Sequence, residues 1–457
     1  MSKPRDRVVA TWQSVMALSW PIVVQQFLNT LMRSIDIVVT GFFSPAAVAA
    51  IGLADLYAQV PFRIGRALGT GGIALSSQDT ARGDAKTRDQ ATTQALLIGF
   101  LVGLPIVVIG FTLADALIAV LGAELEVVRM GASYLTLVFA AAPLRIVALV
   151  GARTLQGTGD TRTPLVVNGL ANVVNIFATV GLGLGLVGLP RLGIVGVGLA
   201  TAFSRGLECL AILGMIGSNR TELSLRRPRD ATVTKQLVAV SLPNFAEGMS
   251  TSVANFPFNA LLLVFGTEVS AAYHIGRRIY QQIAGPLYRS YSVAASIIVG
   301  QRLGAGKPAD ARFSGLAITA LSALTLGVVG TSIWIMAEPL SSIFTADPET
   351  LGYAVTFTRI SGISMFFFGV FFPMAGALQG ASDTRTPFYA RFTGTFGFML
   401  CFSYLAGFWL GYGLSAVYLG IVLTYVWWAL VVSAGFLWGD WAERAEQLMA
   451  DRASTAD

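Results

Sequence analysis

Apolar runs of close to twenty residues recur along the whole chain, as at 95–113, 194–216 and 412–437, with short polar gaps between them. A helix needs ~20 apolar residues to cross a hydrocarbon layer ~30 Å thick. The pattern predicts an all-α polytopic membrane protein of about twelve spans, near 15–43, 48–77, 91–120, 127–154, 163–187, 192–217, 236–266, 270–300, 313–344, 350–379, 387–411 and 414–438. The second and eighth are the least regular, because Arg63 and Arg66, and Arg277, Arg278 and Arg289, fall at or near membrane depth. Composition agrees: 54% of residues are hydrophobic and 12% are charged, about half the ~25% usual in soluble domains. With a mean hydropathy of +0.67, such a chain could not cover a water-facing surface, so lipid is its main solvent.

The net charge of +6 does not point to nucleic acid, since the basic residues sit mostly in the gaps between runs. Arg82, Lys86 and Arg88 follow span two, Arg220, Arg226, Arg227 and Arg229 follow span six, and Arg302, Lys307 and Arg312 follow span eight. Arg162 and Arg385 follow spans four and ten. The alternate gaps carry Glu124, Glu126, Glu268, Asp347 and Glu349 instead. Basic loops stay in the cytoplasm, so both termini are expected there, in a multi-pass protein of the inner (plasma) membrane. The polar, basic start lacks the apolar core and small-residue site of a cleaved signal peptide. Cys209 and Cys401 each lie inside an apolar run and read as buried free thiols.

An internal repeat organises the chain. Leu155-Gln-Gly-Thr-Gly-Asp-Thr-Arg-Thr-Pro164 returns as Leu378-Gln-Gly-Ala-Ser-Asp-Thr-Arg-Thr-Pro387, eight of ten residues matching at an offset of 223. Ser19-Trp-Pro21 returns as Ser241-Leu-Pro243 at an offset of 222, and Gln78 and Gly83 return as Gln301 and Gly306 at 223. The chain therefore holds two copies of a six-span unit. An even number of spans per copy makes the copies parallel. The expected division is a first lobe at 1–217, a basic cytoplasmic linker at 218–234, a second lobe at 235–439 and a cytoplasmic tail at 440–457. Paired repeats of this kind enclose a cleft and open it to alternate sides.

With these motifs in place, the sequence resembles the multidrug and toxic compound extrusion (MATE) family along nearly its whole length, most closely its DinF-like branch. Four elements carry the likeness: Pro21 followed by Asp36 in Ser-Ile-Asp36-Ile-Val-Val-Thr-Gly41; Ser44-Pro-Ala-Ala-Val-Ala-Ala-Ile-Gly52; the duplicated Leu-Gln-Gly-x-x-Asp-Thr-Arg-Thr-Pro; and Asn175 with Gly196-Val-Gly-Leu-Ala-Thr201. The resemblance implies V-shaped lobes and export of small amphiphilic, often cationic, compounds in exchange for H⁺ or Na⁺. It also implies a coupling site at Asp36, Asn175, Thr179 and Thr201. The position of Thr179 is often an aspartate in relatives.

The residues themselves support an ion site near Asp36. A bare carboxylate in mid-span costs at least ~2.5–3.5 kcal/mol, so an intramembrane acid is a functional candidate. Removal from water favours the protonated form of a carboxyl, which suits a switch that gains and loses a proton. A plain ion pair with Arg33, three residues earlier on the same helix face, is the competing role. Asn168, Asn172, Asn175 and Thr179 recur at steps of four, three and four and form one polar stripe on span five. That stripe is either interhelical glue or an oxygen-rich wall around Asp36. Asp36, Asn175 and Thr201 could hold Na⁺. A hard cation gains much from a second carboxylate, however, and Thr179 supplies none, so H⁺ is favoured. No further cofactor or metal is expected.

The second copy lacks this set. At the repeat offset Asp36 falls on Asn259, and the four stripe residues fall on Arg391, Thr395, Phe398 and Phe402. Glu247 is the only acid in span seven, so coupling is expected in the first lobe. Pro21 breaks a helical hydrogen bond and is a candidate hinge; its twin Pro243 also fits a shared structural kink. His274, the one histidine, reads as structural. The intramembrane arginines either pair with Asp55, Glu208 and Glu247 or line the cleft. A lined cleft would suit the alternative function, a flippase or exporter of an anionic or lipid-linked substrate. The glycines at 65, 69, 71 and 72 lack the following lysine of a phosphate loop and read as packing residues. No nucleophile or metal constellation suggests an enzyme. The expected partners are a small-molecule substrate and the lipid bilayer, with no nucleic acid, and the chain is expected to act as a monomer.

Overall fold

A computed structural model describes residues 4–186, 188–218, 220–228 and 231–454. Arg229 of the basic linker therefore lies outside the described residues, as do the extreme ends of the chain. The first half holds α1 (Pro4–Gly41), α2 (Pro45–Arg82), α3 (Ala85–Ala119), α4 (Leu125–Ala140), α5 (Ala142–Thr158), α6 (Arg162–Leu184) and α7 (Gly193–Gly217). The second holds α8 (Ala231–Val264), α9 (Thr267–Ile283), α10 (Gly285–Gly304), α11 (Pro308–Ile335), α12 (Ala337–Ser342), α13 (Pro348–Gly380), α14 (Arg385–Gly394), a π-helix (Thr395–Trp409), α15 (Leu414–Trp438) and α16 (Trp441–Ser454). Among the described residues, nine helices are long and apolar enough to cross a membrane. The pair α4 and α5, bent by 49°, makes a tenth. The expected seventh and eighth spans coincide with α8 and with α9–α10, which are helical but fall outside that set of ten.

Two of the three repeat anchors turn out to lie at helix ends and to cap them, while the Ser-x-Pro anchor lies inside α1 and α8. Asp160 accepts from the backbone N–H of Arg162 and of Thr163, and Asp383 accepts from those of Arg385 and Thr386. Each aspartate thus satisfies the free amides that open α6 and α14. Glycines at 83 and 306 take left-handed backbone at the ends of α2 and α10, with φ of 79° and 69°. Gly159 does the same at 101°, and its counterpart Ser382, at 66°, is the one non-glycine with positive φ among the described residues.

The chain divides into two compact units, one of residues 24–241 and 451–457, the other of 1–23 and 242–450. Their boundaries fall beside Pro21 and Pro243, inside α1 and α8. In the first unit, α2 meets α5 through small residues. A Cβ on Gly69 would come within 2.6 Å of Arg153 Cγ, and one on Gly72 within 2.7 Å of Thr154 Cγ2. Such close approach is how helices pack where lipid gives no hydrophobic drive. The linker is held against the start of α3: Ser224 donates to Asp89, and Arg226 N–H donates to Thr93. Arg452 is fully buried in this unit, donating to Asp79 at 2.9 Å, Gln78 at 2.9 Å and Gln236 at 2.8 Å.

The other unit has an aromatic core in which Tyr288 stacks on Phe372 and Phe368 packs edge-on against Tyr425. The start of α1 belongs here, where Trp12 Nε1 donates to the carbonyl of Ala317. Cys209 is buried as expected, but Cys401 is exposed. An apolar run in a membrane protein has an outward face as well as a core face, and its apolar character does not separate the two. The π-helix is uncommon in length. Its Ser403 hydroxyl donates five residues back to the carbonyl of Phe398, and Gly420 of α15, without a side chain, leaves room for both groups.

Candidate functional site

The site lies wholly within the unit of residues 24–241. Asp36 is on α1, one turn after Met32, and only 8% of it is exposed. Its Oδ1 accepts a 3.0 Å hydrogen bond from Thr179 of α6, and its backbone carbonyl accepts from Thr40 at 2.6 Å. Among the described residues Asp36 makes no ion pair. The Arg33 guanidinium stands over the ring of Phe62, 5.8 Å from its centre.

All four stripe residues of α6 are buried: Asn168, Asn172, Asn175 and Thr179. Their partners divide by atom type. Asn172 Nδ2 donates to Asn29 Oδ1 and to Asn168 Oδ1, both at 3.1 Å. Asn168 Nδ2 donates to Glu208 Oε1 at 2.8 Å, and Asn175 Nδ2 donates to Ser204 Oγ at 3.2 Å. The amide oxygens of Asn172 and Asn175 are buried and accept nothing. The structure therefore brings Asp36 and Thr179 into direct contact. Asn175 and Thr201 are instead linked through Ser204, whose hydroxyl donates to the Thr201 carbonyl at 2.9 Å. The Thr201 hydroxyl donates to its own helix at Val197.

Glu208 and Arg205 of α7 complete the network. Arg205 Nη1 donates to Glu208 Oε2 at 2.6 Å, and Nη2 donates to the Met32 thioether at 3.3 Å. The signal for this pair was present in the sequence: Thr201, Arg205 and Glu208 are spaced four and three apart on one face of α7. Pairing, one of the two roles open to the intramembrane arginines, holds for Arg205 and also for Arg391 in the other unit. Arg391 donates to Glu247 at 3.0 Å and lies 4.6 Å over the ring of Trp428. Trp428 is the repeat counterpart of Arg205, as Arg391 is of Asn168; in the first copy that pair of positions is bridged by Glu208, whereas in the second the two side chains meet directly. Pro21 lies outside this cluster, inside an unbroken α1 and beside the unit boundary. His274 is exposed, its ring edge-on to Tyr273.

A buried carboxylate with one hydroxyl donor, set against a stripe that carries unpartnered amide oxygens, is an acceptor-rich setting. It can take a proton, or a small cation that brings its own positive charge. Groups of three or more acidic, histidine or cysteine side chains that could hold a metal are absent among the described residues.

The family model described as MatE matches residues 21–180 and 243–405, two segments whose starts are separated by the repeat offset. The chain is 26% identical over 450 residues to the probable multidrug resistance protein NorM of Thermotoga maritima, covering 97% of this chain and 96% of the relative. It is 26% identical over 391 residues to the multidrug resistance protein PmpM of Pseudomonas aeruginosa, covering 83% of this chain and 80% of that protein. Its fold matches a solved structure of the outward-facing conformation of a multidrug resistance MATE family transporter of the MOP superfamily, with a TM-score of 0.86 at 20% identity over 96% of each chain.

Proposed function

The chain belongs to the MatE family of membrane transporters, and from that premise we propose that it is a secondary active antiporter exporting small amphiphilic, often cationic, compounds. The coupling cation, H⁺ in preference to Na⁺, exchanges at Asp36. The observation that carries this reading is the Asp36 carboxylate itself: buried in an apolar helix, hydrogen-bonded by Thr179, and flanked by a stripe with two unpartnered amide oxygens. An intramembrane acid without a fixed counter-ion is costly, and taking up a cation relieves that cost. Asn172 and Asn175 offer neutral oxygen ligands to the incoming cation or to water. A single carboxylate suits a proton better than Na⁺, and Thr179 in place of a second acid supports that preference.

Occupancy of Asp36 shifts the balance between inward-open and outward-open states, with Pro21 as the hinge of α1 and the two repeats as the moving lobes. Both termini are cytoplasmic and the monomer is the working unit in this reading. The names of the NorM and PmpM relatives support multidrug cargo. The anionic or lipid-linked alternative needs unpaired arginines along a cleft. The Arg205–Glu208 and Arg391–Glu247 pairs remove two of them and favour cationic cargo.

The test is efflux of ethidium from proteoliposomes under an imposed pH or Na⁺ gradient, comparing wild type with Asp36→Asn. Efflux driven by the pH gradient and lost in the variant is expected. Failure of both gradients, or full coupled transport by Asp36→Asn, would refute the reading.

A further inference from the structure

Arg205 is bound in an unequal way. One terminal nitrogen is held by Glu208 at 2.6 Å, while the other rests on the thioether of Met32 at 3.3 Å, a weak acceptor for a buried guanidinium. Its Nε is buried with no partner. Met32 and Asp36 are four residues apart on α1, so they share a helix face one turn apart, about 6 Å along the axis. The second nitrogen of Arg205 thus lies on the α1 face that carries the Asp36 carboxylate, and Arg205 acts on that carboxylate electrostatically. Asp36 is also within the field of Arg33 on its own helix and of Asp55 on α2. Tyr134 of α4 and Arg145 of α5 belong to the same charged neighbourhood. Of these groups, Arg205 is tied to a second carboxylate, Glu208, through a short ion pair.

We propose that Arg205 is a positioning residue that exchanges carboxylates: it is held by Glu208 while Asp36 carries its cation, and its free arm moves from Met32 to Asp36 when that cation leaves. The inference rests on the reading of Asp36 as the coupling acid. It adds the route by which occupancy is transmitted. As Arg205 turns toward α1, its hold on Glu208 Oε2 loosens, and Glu208 is the acceptor of the Asn168 amide that begins the α6 stripe. Release of a cation at α1 therefore reaches α6 and α7 through two contiguous contacts, Arg205 to Glu208 and Glu208 to Asn168. Glu208 also keeps Arg205 from neutralising Asp36 permanently, which would abolish the affinity of Asp36 for a cation.

The experiment follows the protonated-carboxyl infrared band of the full chain in liposomes as pH is varied, with the Asp36 contribution assigned by its loss in Asp36→Asn. Ethidium efflux is measured in the same preparations. In Glu208→Gln the guanidinium has only Asp36 to satisfy, so the midpoint of the Asp36 band should move to lower pH by about one unit or more. In Arg205→Gln/Glu208→Gln, a neutral pair of similar size, the midpoint should rise above that of wild type. The double variant decides the matter even if Glu208→Gln fails to fold. Midpoints unchanged in the folded variants, with coupled efflux still lost in Asp36→Asn, would overturn this inference alone. Coupled efflux surviving in Asp36→Asn would overturn the role of Asp36 and this inference with it.

Discussion

The Thr179 hydroxyl reaches across from α6 to hold the Asp36 carboxylate of α1 at 3.0 Å, the only side-chain hydrogen bond to that carboxylate among the described residues. A hydrogen bond to a charged group contributes ~1.5–3 kcal/mol, and it favours the ionised form. Thr179→Val removes the donor and keeps the shape. The pH of half-maximal ethidium efflux should therefore rise, by about one unit, since 1.4 kcal/mol corresponds to a tenfold change. Thr179→Asp should act in another way, adding the second charged oxygen donor that a hard cation needs and making efflux Na⁺-stimulated. A pH-and-Na⁺ matrix of efflux rates checks both.

Burial of Arg452 against Asp79 supports a stability prediction. Removing one member of a buried ion pair leaves an uncompensated charge and costs ~3–5 kcal/mol. Arg452→Met should lower the apparent melting temperature of the detergent-solubilised protein strongly. The paired change Arg452→Gln/Asp79→Asn, which leaves no bare charge, should lose less than the single variant. Thermal unfolding followed by tryptophan fluorescence distinguishes the two.

Ser382 occupies a backbone conformation that its repeat counterpart Gly159 adopts without strain. A non-glycine residue there costs ~1–2 kcal/mol. Ser382→Gly should raise the melting temperature, and Gly159→Ala should lower it. A pair of melting curves tests the opposite signs.

Two glycines on α13 should respond in opposite directions to the same substitution. A Cβ on Gly376 would collide with the backbone of Ser292, whereas one on Gly352 meets nothing within 4 Å. Gly376→Ala should destabilise by ~1–3 kcal/mol through overpacking. Gly352→Ala should be neutral or stabilising by up to ~1 kcal/mol from helix propensity. Melting temperatures of the two variants, made in parallel, settle the contrast.

Much of this architecture is written locally, which is why the sequence discloses it. Asp160 and Asp383 stand out as repeat anchors because a helix start needs an acceptor at a fixed distance along the chain, and the stripe on α6 is visible because helical periodicity is local. Periodicity offers the stripe as a wall for Asp36, but the pairing of Asp36 with Thr179 in particular comes from the family resemblance, since 143 residues separate the partners. The use of Arg205 was harder to read: its spacing to Glu208 gives an ion pair, but the Met32 contact depends on how α7 lies against α1. The exposure of Cys401 is not legible in its apolar run, because hydrophobicity does not distinguish an outward face from a core face. The π-helix at 395–409 leaves no compositional trace; what accompanies it is a close approach to α15 at Gly420, a contact between two separate segments of the chain.

The crossing at Val23 has an implication for how the molecule can be dissected. Severing the chain in the basic segment between the repeats would give two polypeptides, but neither would hold one complete folded body. The leading fragment would carry the opening stretch of its companion's core, and the trailing fragment would keep the arginine that fills the leading one's buried acidic socket. Each product would be born missing a piece held by the other. Co-expression of both fragments should therefore restore what neither attains when made by itself.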